Sequence, residues 1–488
     1  MTNPHRPPDD LDYLSASELA LLVRRREVSP VELVEHTLGR IEAHNGQLNA
    51  YLTVCAEHAR YAARFAEQEV MSGRNELGPL HGVPFSVKDL LETAGVRTTY
   101  GSRLHETNVP YVDALAVTRL RLAGAILVGK TNTSEFGMLG ETRNLLAPDC
   151  RNPWDLARTT EGSSGGAAAA VAAGLGPFAV GTDGVGSIIA PSAVCGVVGF
   201  KPTTGRVPMW PTPPSSRLFV TVGPIARTVA DAKLALEVMS GPDRRDPISL
   251  RDPMPWWREA DDIPPPRVAW TPDLGQFAVD NEVVASCELA LGVLAELGWC
   301  VDSAHPAIPS PWPTYGPLFR ADAWLELGEA AEATPELFDP EALSELLPAR
   351  HVSTGEVITA LNRLTELRRT IDDFFLDYDV LAMPATATTA FPIGLPPTVI
   401  GGRRVEPGWT TYMPFTAAWN MGDNPAVTIP CPPTAGGLPV GLLLVARVGR
   451  EDLVLRTARA LEEALPWAHR RPDLEPAPVD RRTLDRLI

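Results

Sequence analysis

Lysine is scarce in this chain: only four of its 488 residues are lysine, although Lys and Arg together number 43. Arginine therefore supplies most cations, and lysine is expected where a cation must be able to lose its proton, because a guanidinium cannot do so. A GC-rich genome would also lower the lysine content. It would not explain why three of the four, Lys88, Lys130 and Lys201, lie beside glycine- and serine-rich motifs. Lys88 is accordingly a candidate general base.

An excess of positive charge is also lacking. The 60 acidic residues outnumber Lys and Arg and give a formal net charge of -17. Binding to nucleic acid needs clustered Lys and Arg that neutralise phosphates. We therefore expect no nucleic-acid partner, and an acidic surface that favours solubility.

Long hydrophobic runs and closely paired cysteines are absent from the sequence. The apolar stretch from Ala167 to Val180 is interrupted by Gly174, Gly176 and Pro177 and is too short to span a bilayer. The first ten residues lack the apolar segment of a secretory signal. Six cysteines without CxxC spacing favour free thiols over a disulfide framework or a zinc site. We expect a cytoplasmic protein with no metal and no membrane partner.

Helical and strand patterns divide the chain into regions. Residues 1–72 predict helices, because Ser15 and Ser29 each stand three residues before a glutamate, as in a capping box. Residues 242–348 are rich in proline and contain helical patterns over 281–297 and 336–347, which predicts a helical cap. Nothing in the sequence suggests a linker that would separate independent domains.

Short apolar segments punctuated by glycine predict buried strands over 78–208 and again over 376–470. The predicted strands are His81–Val87, Ala125–Gly129, Phe178–Gly181, Val197–Phe200, Tyr378–Pro384, Pro425–Pro430 and Leu438–Leu442. Because helical stretches alternate with them, we predict an α/β fold with a mixed, mostly parallel twisted sheet and helices on both faces.

Two serine motifs carry the candidate chemistry. Ser163 lies in Gly-Ser-Ser-Gly-Gly, and Ser187 lies in Gly-Thr-Asp-Gly-Val-Gly-Ser-Ile, each just before a helical stretch. A serine hydroxyl needs a neighbouring base to become a nucleophile. Among nine histidines, His81 and His105 lie near these motifs, but neither fits a recognisable triad order. Lysine can act instead if burial lowers its pKa of ~10.4 by roughly three units, which costs about 4 kcal/mol.

Glycines around Ser187 allow consecutive backbone N–H groups to converge on one point, as an oxyanion hole requires. We predict that this hole is formed by the backbone of Gly184, Val185, Gly186 and Ser187. Helix N-termini behind both serine motifs would add a positive potential that favours an anion.

An ordered set of motifs over 78–208 resembles the amidase signature family. The motifs are Gly-Val-Pro-Phe-Ser-Val-Lys-Asp ending at Asp89, Gly-Lys-Thr-Asn-Thr-Ser-Glu-Phe ending at Phe136, Arg-Asn-Pro-Trp-Asp ending at Asp155, the Ser163 motif, and Cys-Gly-Val-Val-Gly-Phe-Lys-Pro-Thr ending at Thr203. Weaker similarity extends over nearly the whole length, which implies one amidase domain over 1–488. The resemblance implies Ser187 as nucleophile, Ser163 as a relay after a cis peptide, and Lys88 as general base, with no cofactor.

Three positions depart from the family pattern. Ile189 stands where the family usually has an arginine, for which Asp183 is the natural partner. Val185 replaces a glycine and would be strained if its φ were positive. Glu161 replaces the glycine that usually precedes Gly162, and it adds an acid close to the relay.

The implied reaction is hydrolysis of carbon–nitrogen bonds in amides, with carbamates (urethanes) as an extension. Two other functions stay open. In one, the triad releases ammonia from glutamine as part of an amidotransferase and delivers it to a partner protein, although Val220-Thr221 replaces the Asp-Gln pair expected there. In the other, Ser164 is the nucleophile of an esterase elbow, Gly-x-Ser-x-Gly. A small-molecule substrate and a monomer or homodimer are expected.

The substrate pocket is less clearly marked. Aromatic and proline-rich segments over 207–222 and 306–319 could line a broad apolar pocket, or could simply pack a helical cap. The candidate substrate-binding residues are Phe136, Met138, Leu139, Trp210, Trp312, Tyr315 and Trp419. If they line the site, aryl or hydrophobic amides are the expected substrates.

Overall fold

An eleven-stranded sheet forms the centre of the molecule. The computed structural model describes residues 8–73, 76–214, 218–251 and 264–476. The strands are β1 (Tyr51–Val54), β2 (Pro84–Lys88), β3 (Ile126–Thr131), β4 (Arg151–Asn152), β5 (Asp155–Thr159), β6 (Phe178–Asp183), β7 (Val198–Lys201), β8 (Thr221–Ala226), β9 (Val268–Trp270), β10 (Val301–Ser303), β11 (Val380–Pro384), β12 (Val399–Ile400), β13 (Arg403–Arg404), β14 (Ala426–Pro430) and β15 (Gly441–Ala446). Every strand predicted from the sequence is present, with bounds that differ by a few residues.

Helices cover the sheet. They are α1 (Ala16–Arg24), α2 (Pro30–Leu48), α3 (Ala56–Met71), α4 (Leu115–Leu122), α5 (Gly165–Ala172), α6 (Ile189–Cys195), α7 (Val229–Met239), α8 (Asn281–Glu296), α9 (Trp312–Ala333), α10 (Pro340–Leu346), α11 (Thr354–Phe374), α12 (Trp409–Tyr412), α13 (Ala417–Met421) and α14 (Glu451–Ala464). The predicted capping boxes are confirmed: Ser15 caps α1 with Glu18, and Ser29 caps α2 with Glu32. None of the helices in the described part of the chain combines the length and apolar character needed to cross a lipid bilayer.

Both faces of the sheet are buried, as the α/β prediction requires. In β15, Leu442 and Leu444 pack in a core that includes residues of α7, α8 and α14. The alternate residues Leu443 and Val445 pack in a second core with residues of α9, α11 and α13. Because successive side chains of a strand point to opposite faces, the two cores lie on opposite sides of the sheet.

The sheet is mixed, but the expectation that it is mostly parallel is corrected. The order is β1-β3-β2-β6-β8-β7-β14-β15-β11-β9-β10. Only β3–β2, β2–β6, β11–β9 and β9–β10 pair in parallel, whereas the other neighbours are antiparallel. Between β7 and β8 the described residues, 202–214 and 218–220, form no helix, and none lies between β14 and β15. Connections without a crossover helix are typical of antiparallel pairs.

The region 242–348, expected to be a helical cap, does supply α8, α9 and α10. It also contributes β9 and β10, which extend the edge of the main sheet next to β11. These strands have only three residues each, too few for a clear period-2 pattern in the sequence.

Candidate active site

The parallel strands β2 and β6 bring the candidate base to the serine motifs. Val87 lies opposite Val180 in this pair, so the carboxyl ends of both strands lie at the same edge of the sheet. Lys88 is the last residue of β2 and Asp183 the last residue of β6. Ligand sites of α/β sheets typically lie at such an edge.

Lys88 contacts Ser163, the candidate relay. Its Nζ lies 2.7 Å from Ser163 Oγ, 2.9 Å from Thr182 Oγ1 and 3.4 Å from Thr182 O. The side chain of Lys88 is 0% exposed, and this burial lowers its pKa well below the usual value, while the negative charge of Asp183 opposes that shift. A deprotonated amine can accept the Ser163 proton across this short contact.

The two serine turns are joined through their backbones. The N–H of Ser164 donates to Ser187 O at 3.1 Å, and the Gly162–Ser163 peptide is cis, as the resemblance implied. Ser187 is 8% exposed and Ser163 is 1% exposed. Of these two serines, Ser187 is therefore the better placed to meet a substrate.

The turn before Ser187 differs in one respect from the predicted oxyanion hole. The N–H of Gly186 already donates to Asp183 Oδ1 at 2.6 Å. The prediction is corrected at this residue, because a carboxylate is a stronger acceptor than a substrate carbonyl. Gly184, Val185 and Ser187 remain as candidate donors.

Two of the departures from the family pattern are accommodated by this turn. Gly186, and not Val185, adopts the positive φ of 121°. The carboxylate of Asp183 accepts further hydrogen bonds from the N–H groups of Ile188 at 2.7 Å and Ile189 at 3.1 Å. Backbone donors thus hold Asp183 although no arginine stands at position 189.

The third departure, Glu161, has an unusual environment. Its side chain is fully buried, and neither carboxyl oxygen has a hydrogen-bond partner among the described residues. Burial raises the pKa of Glu161 well above the usual value, and the nearby Glu141 raises it further. Glu161 also adopts a φ of 51°, in the left-handed region that favours glycine.

Comparison with known proteins identifies the family of this chain. Residues 32–455 match the family model for amidases. The chain belongs to the amidase signature family. It is 40% identical over 472 residues to an acylamidase of Rhodococcus erythropolis, covering 95% of this chain and 98% of that one. It is 36% identical over 493 residues to a glutamyl-tRNA(Gln) amidotransferase chain of Moorella thermoacetica, covering 95% of this chain and 99% of that one.

A solved structure gives the same assignment. The fold matches that of a bacterial aryl acylamidase of the amidase signature family with a TM-score of 0.87 and 29% sequence identity, covering 94% of this chain and 98% of that chain. The predicted family and α/β fold are therefore confirmed, and the chain is a hydrolase of amides.

Aromatic side chains of this amidase cluster beside the Ser187 turn. On α9, Trp312 and Tyr315 lie with ring centroids 6.2 Å apart, and Trp409 packs on Trp312 at 5.1 Å. Phe219 lies 6.2 Å from Tyr315. The side chain of Val185 packs on the same apolar core, which connects the aromatic group to the turn.

The predicted pocket residues Phe136, Met138 and Leu139 lie on a different loop. Phe136 and Met138 pack in a separate core with Phe338, and Leu139 is buried. The loop that carries them reaches the relay: a Cβ on Gly137 would lie 3.3 Å from Ser163 Oγ. These residues therefore belong to a loop that packs beside Ser163, and Phe319, which packs on their core, also stacks on Tyr315.

Two predicted pocket tryptophans lie in other surroundings. Trp419 is fully buried and belongs to the core, so it cannot touch a substrate without rearrangement. Trp210 lies under the guanidinium of Arg245 at 4.8 Å, and its carbonyl accepts the N–H of Leu115. The structure therefore does not bring either residue into the aromatic group.

Sequence reasoning missed several residues of the site. Thr182 contacts Lys88, and Trp409 completes the aromatic group. Asn420 and Thr416 bind the Ser187 turn from a distant part of the chain. An aromatic residue in a glycine- and proline-rich loop was a weak signal for Trp409, whereas nothing in the sequence marks Asn420.

Proposed function

We propose that this amidase hydrolyses hydrophobic or aryl amides, and also carbamates, through an acyl-enzyme on Ser187. The observation that carries the proposal is the buried Lys88 amine 2.7 Å from Ser163 Oγ, beside the turn that bears Ser187. The acyl and aryl acylamidase names of the similar proteins support the same substrate class.

In the proposed mechanism, neutral Lys88 takes the proton of Ser163, Ser163 takes that of Ser187, and Ser187 Oγ attacks the carbonyl carbon. N–H groups of the turn bind the resulting oxyanion. The proton then returns through Ser163 to the leaving amine as the C–N bond breaks. Water, activated by the same relay, releases the acid. The reaction needs no group beyond the chain and water.

The pocket supports apolar substrates over charged ones. Trp312, Tyr315 and Trp409 contact one another through their rings, and these rings and Val185 belong to or pack on the same apolar core. An anilide ring would replace water against these rings and gain about 25 cal/mol per Å² of apolar area buried. A urethane carbonyl presents the same electrophile to the same nucleophile.

The competing Ser164 hypothesis meets a geometric objection. Ser164 is fully buried, and its Oγ donates to Thr182 O at 3.1 Å. The Ser164 hydroxyl proton is thus directed at a backbone carbonyl, which cannot serve as its general base.

The test measures amine release from an acyl anilide and from the matched N-aryl carbamate, and ammonia release from glutamine. Wild type is compared with Ser187→Ala, Ser163→Ala and the neighbouring control Ser164→Ala. We expect turnover of the anilide and the carbamate, its loss by at least about a thousandfold in Ser187→Ala, and little change in Ser164→Ala.

Three outcomes would contradict the proposal. Activity that survives in Ser187→Ala would refute the assigned nucleophile. Activity lost only in Ser164→Ala would favour the esterase elbow. Glutamine turnover without anilide turnover would favour the amidotransferase-like function.

A further inference from the structure

The side-chain amide of Asn420, from the C-terminal part of the chain, hydrogen-bonds to the Ser187 turn. Asn420 lies on α13, and its Nδ2 donates to Asp183 O at 2.9 Å, to Asp183 Oδ1 at 3.0 Å and to Phe219 O at 3.1 Å. Its own Oδ1 is buried with no partner among the described residues. The amide orientation is therefore fixed, since turning it over would place an oxygen against three oxygens.

The donors to Asp183 are neutral. Its carboxylate accepts three backbone N–H groups and the Asn420 amide, and no ion pair to Asp183 is found within the described ranges. The titratable groups that sense this charge are Lys88, Lys201 and Tyr315, which come from β2, β7 and α9. The Asp183 charge thus acts directly on the candidate base.

The same short segment holds the turn at a second point. The Thr416 hydroxyl donates to Val185 O. A Cβ added to Gly186 would collide with Thr416 Oγ1, so the two segments are in tight contact. The geometry of Val185, Gly186 and Ser187 therefore depends on residues more than two hundred positions later in the chain.

We propose that Asn420 is a positioning residue of the reaction: its amide fixes Asp183, and through Asp183 the N–H groups and the hydroxyl of the Ser187 turn, without adding a positive charge beside Lys88. This inference rests on the proposed Ser187 acyl-enzyme mechanism. A neutral donor stabilises the turn but leaves the Asp183 charge free to act on the Lys88 amine. A misplacement of about 1 Å in such a turn can cost about a hundredfold in rate.

The chain offers a matched control in Asn424. It is as fully buried as Asn420, its Nδ2 donates to Ala446 O at 2.9 Å, and its Oδ1 likewise has no partner among the described residues. Asn424 has no described contact with the Ser187 turn. Substitutions at Asn424 therefore measure the effect of removing a buried amide that donates a hydrogen bond but accepts none among the described residues. Substitutions at Asn420 have the same structural effect and, in addition, any effect of the Ser187 turn on catalysis.

The experiment compares Asn420→Ala and Asn424→Ala for kcat, KM and the pH profile of kcat/KM, with the anilide and carbamate as substrates. The rate at which a fluorophosphonate labels Ser187, located by mass spectrometry, is measured in parallel. We expect Asn420→Ala to lower kcat and the labelling rate by about 10- to 100-fold with KM within about threefold. The acid limb of the kcat/KM profile should move to higher pH by about half a pH unit or more. The Asn420 amide dipole partly offsets the negative charge of Asp183, so its removal favours the protonated form of Lys88.

Near-wild-type kinetics in Asn420→Ala, or equal losses in the Asn420 and Asn424 variants with an unmoved acid limb, would overturn the inference. If Asn420→Ala does not fold, the same measurements are made on Asn420→Asp and Asn424→Asp. An aspartic acid at position 420 can donate at most one O–H, whereas the Asn420 amide contacts three acceptors. Wild type that labels at Ser187 but turns over neither substrate would refute the proposed substrates only, and the labelling rates would still decide the role of Asn420. Wild type that does not label would refute both proposals.

Discussion

Replacement of Glu161 by glutamine should stabilise the protein by an amount that grows with pH. In the unfolded chain this carboxyl ionises above its usual pKa of 4.5, whereas burial raises the pKa in the folded protein well above that value. Between these two values the folded state holds a proton that the unfolded state has lost. The contribution of Glu161 to the free energy of unfolding therefore falls as pH rises through this window.

The magnitude follows from the linkage relation. Each pH unit in the window costs about 1.4 kcal/mol of stability per retained proton. Because Glu161 is fully buried with both oxygens unpartnered in the described structure, no solvent screening reduces this figure. For each pH unit inside the window, the stability difference between Glu161→Gln and wild type should therefore increase by about 1.4 kcal/mol.

The assay is urea unfolding of both proteins, followed by tryptophan fluorescence at pH values that rise in steps of about one unit from about 5.5, which lies above the usual pKa of 4.5. Glu42→Gln serves as the control for removal of a carboxyl group, because Glu42 lies exposed on α2. A pH-independent difference for Glu161→Gln would refute the reasoning, since it would mean that the folded protein already holds Glu161 ionised.

Three further results are expected. Gly186→Ala should lower kcat by at least about tenfold, because the glycine has a φ of 121° and its new Cβ would collide with Thr416 Oγ1; circular dichroism checks that the variant is folded. Trp409→Ala should raise KM for an aryl amide about tenfold while Trp210→Ala leaves it unchanged, because only Trp409 belongs to the aromatic group. In the pH profile of kcat/KM, activity should fall as pH drops through the lowered pKa of Lys88, because the protonated amine cannot accept the Ser163 proton; a profile without an acid limb down to the lowest pH at which circular dichroism shows a folded protein would contradict this.

The sequence predicts the parts of the site that depend on local pattern. Glycines next to Ser163 and Ser187 mark tight turns before helices, and the apolar residues around Lys88 mark a buried strand, so these contacts could be anticipated. Helix α9 could not be anticipated in the same way, because Pro313 and Pro317 interrupt its helical sequence pattern. The first proline lies in the opening turn, where a missing N–H costs nothing, and packing of Tyr315 and Leu318 outweighs the second.

Long-range polar contacts lie beyond reasoning from local patterns. The hydrogen bonds of Asn420 to Asp183 join segments 237 positions apart, and no periodicity encodes such a pair. Likewise, the sequence shows that Glu161 replaces a glycine but not that its carboxyl is left unpartnered among the described residues. Both facts depend on which side chains the folded sheet brings together.

Lys88 and Glu161 act on stability with opposite signs of pH dependence. Above the lowered pKa of Lys88 and below its usual 10.5, the unfolded chain binds a proton that the folded protein does not, so Lys88 makes stability rise with pH. Glu161 makes it fall over the window that starts at its usual pKa of 4.5. Where the windows overlap, the two slopes of about 1.4 kcal/mol per pH unit cancel in wild type.

Variants that lack only one of these two groups should show the pH dependence of stability that the other group contributes. Lys88→Met should abolish activity and stabilise the protein, with stability that falls as pH rises, whereas Glu161→Gln should give the opposite slope and the double variant a flat one. Urea unfolding of the four proteins across the overlap tests the cancellation. Parallel pH dependence in all four would mean that neither group changes its protonation on folding, and would remove the physical basis for a neutral Lys88 as the base.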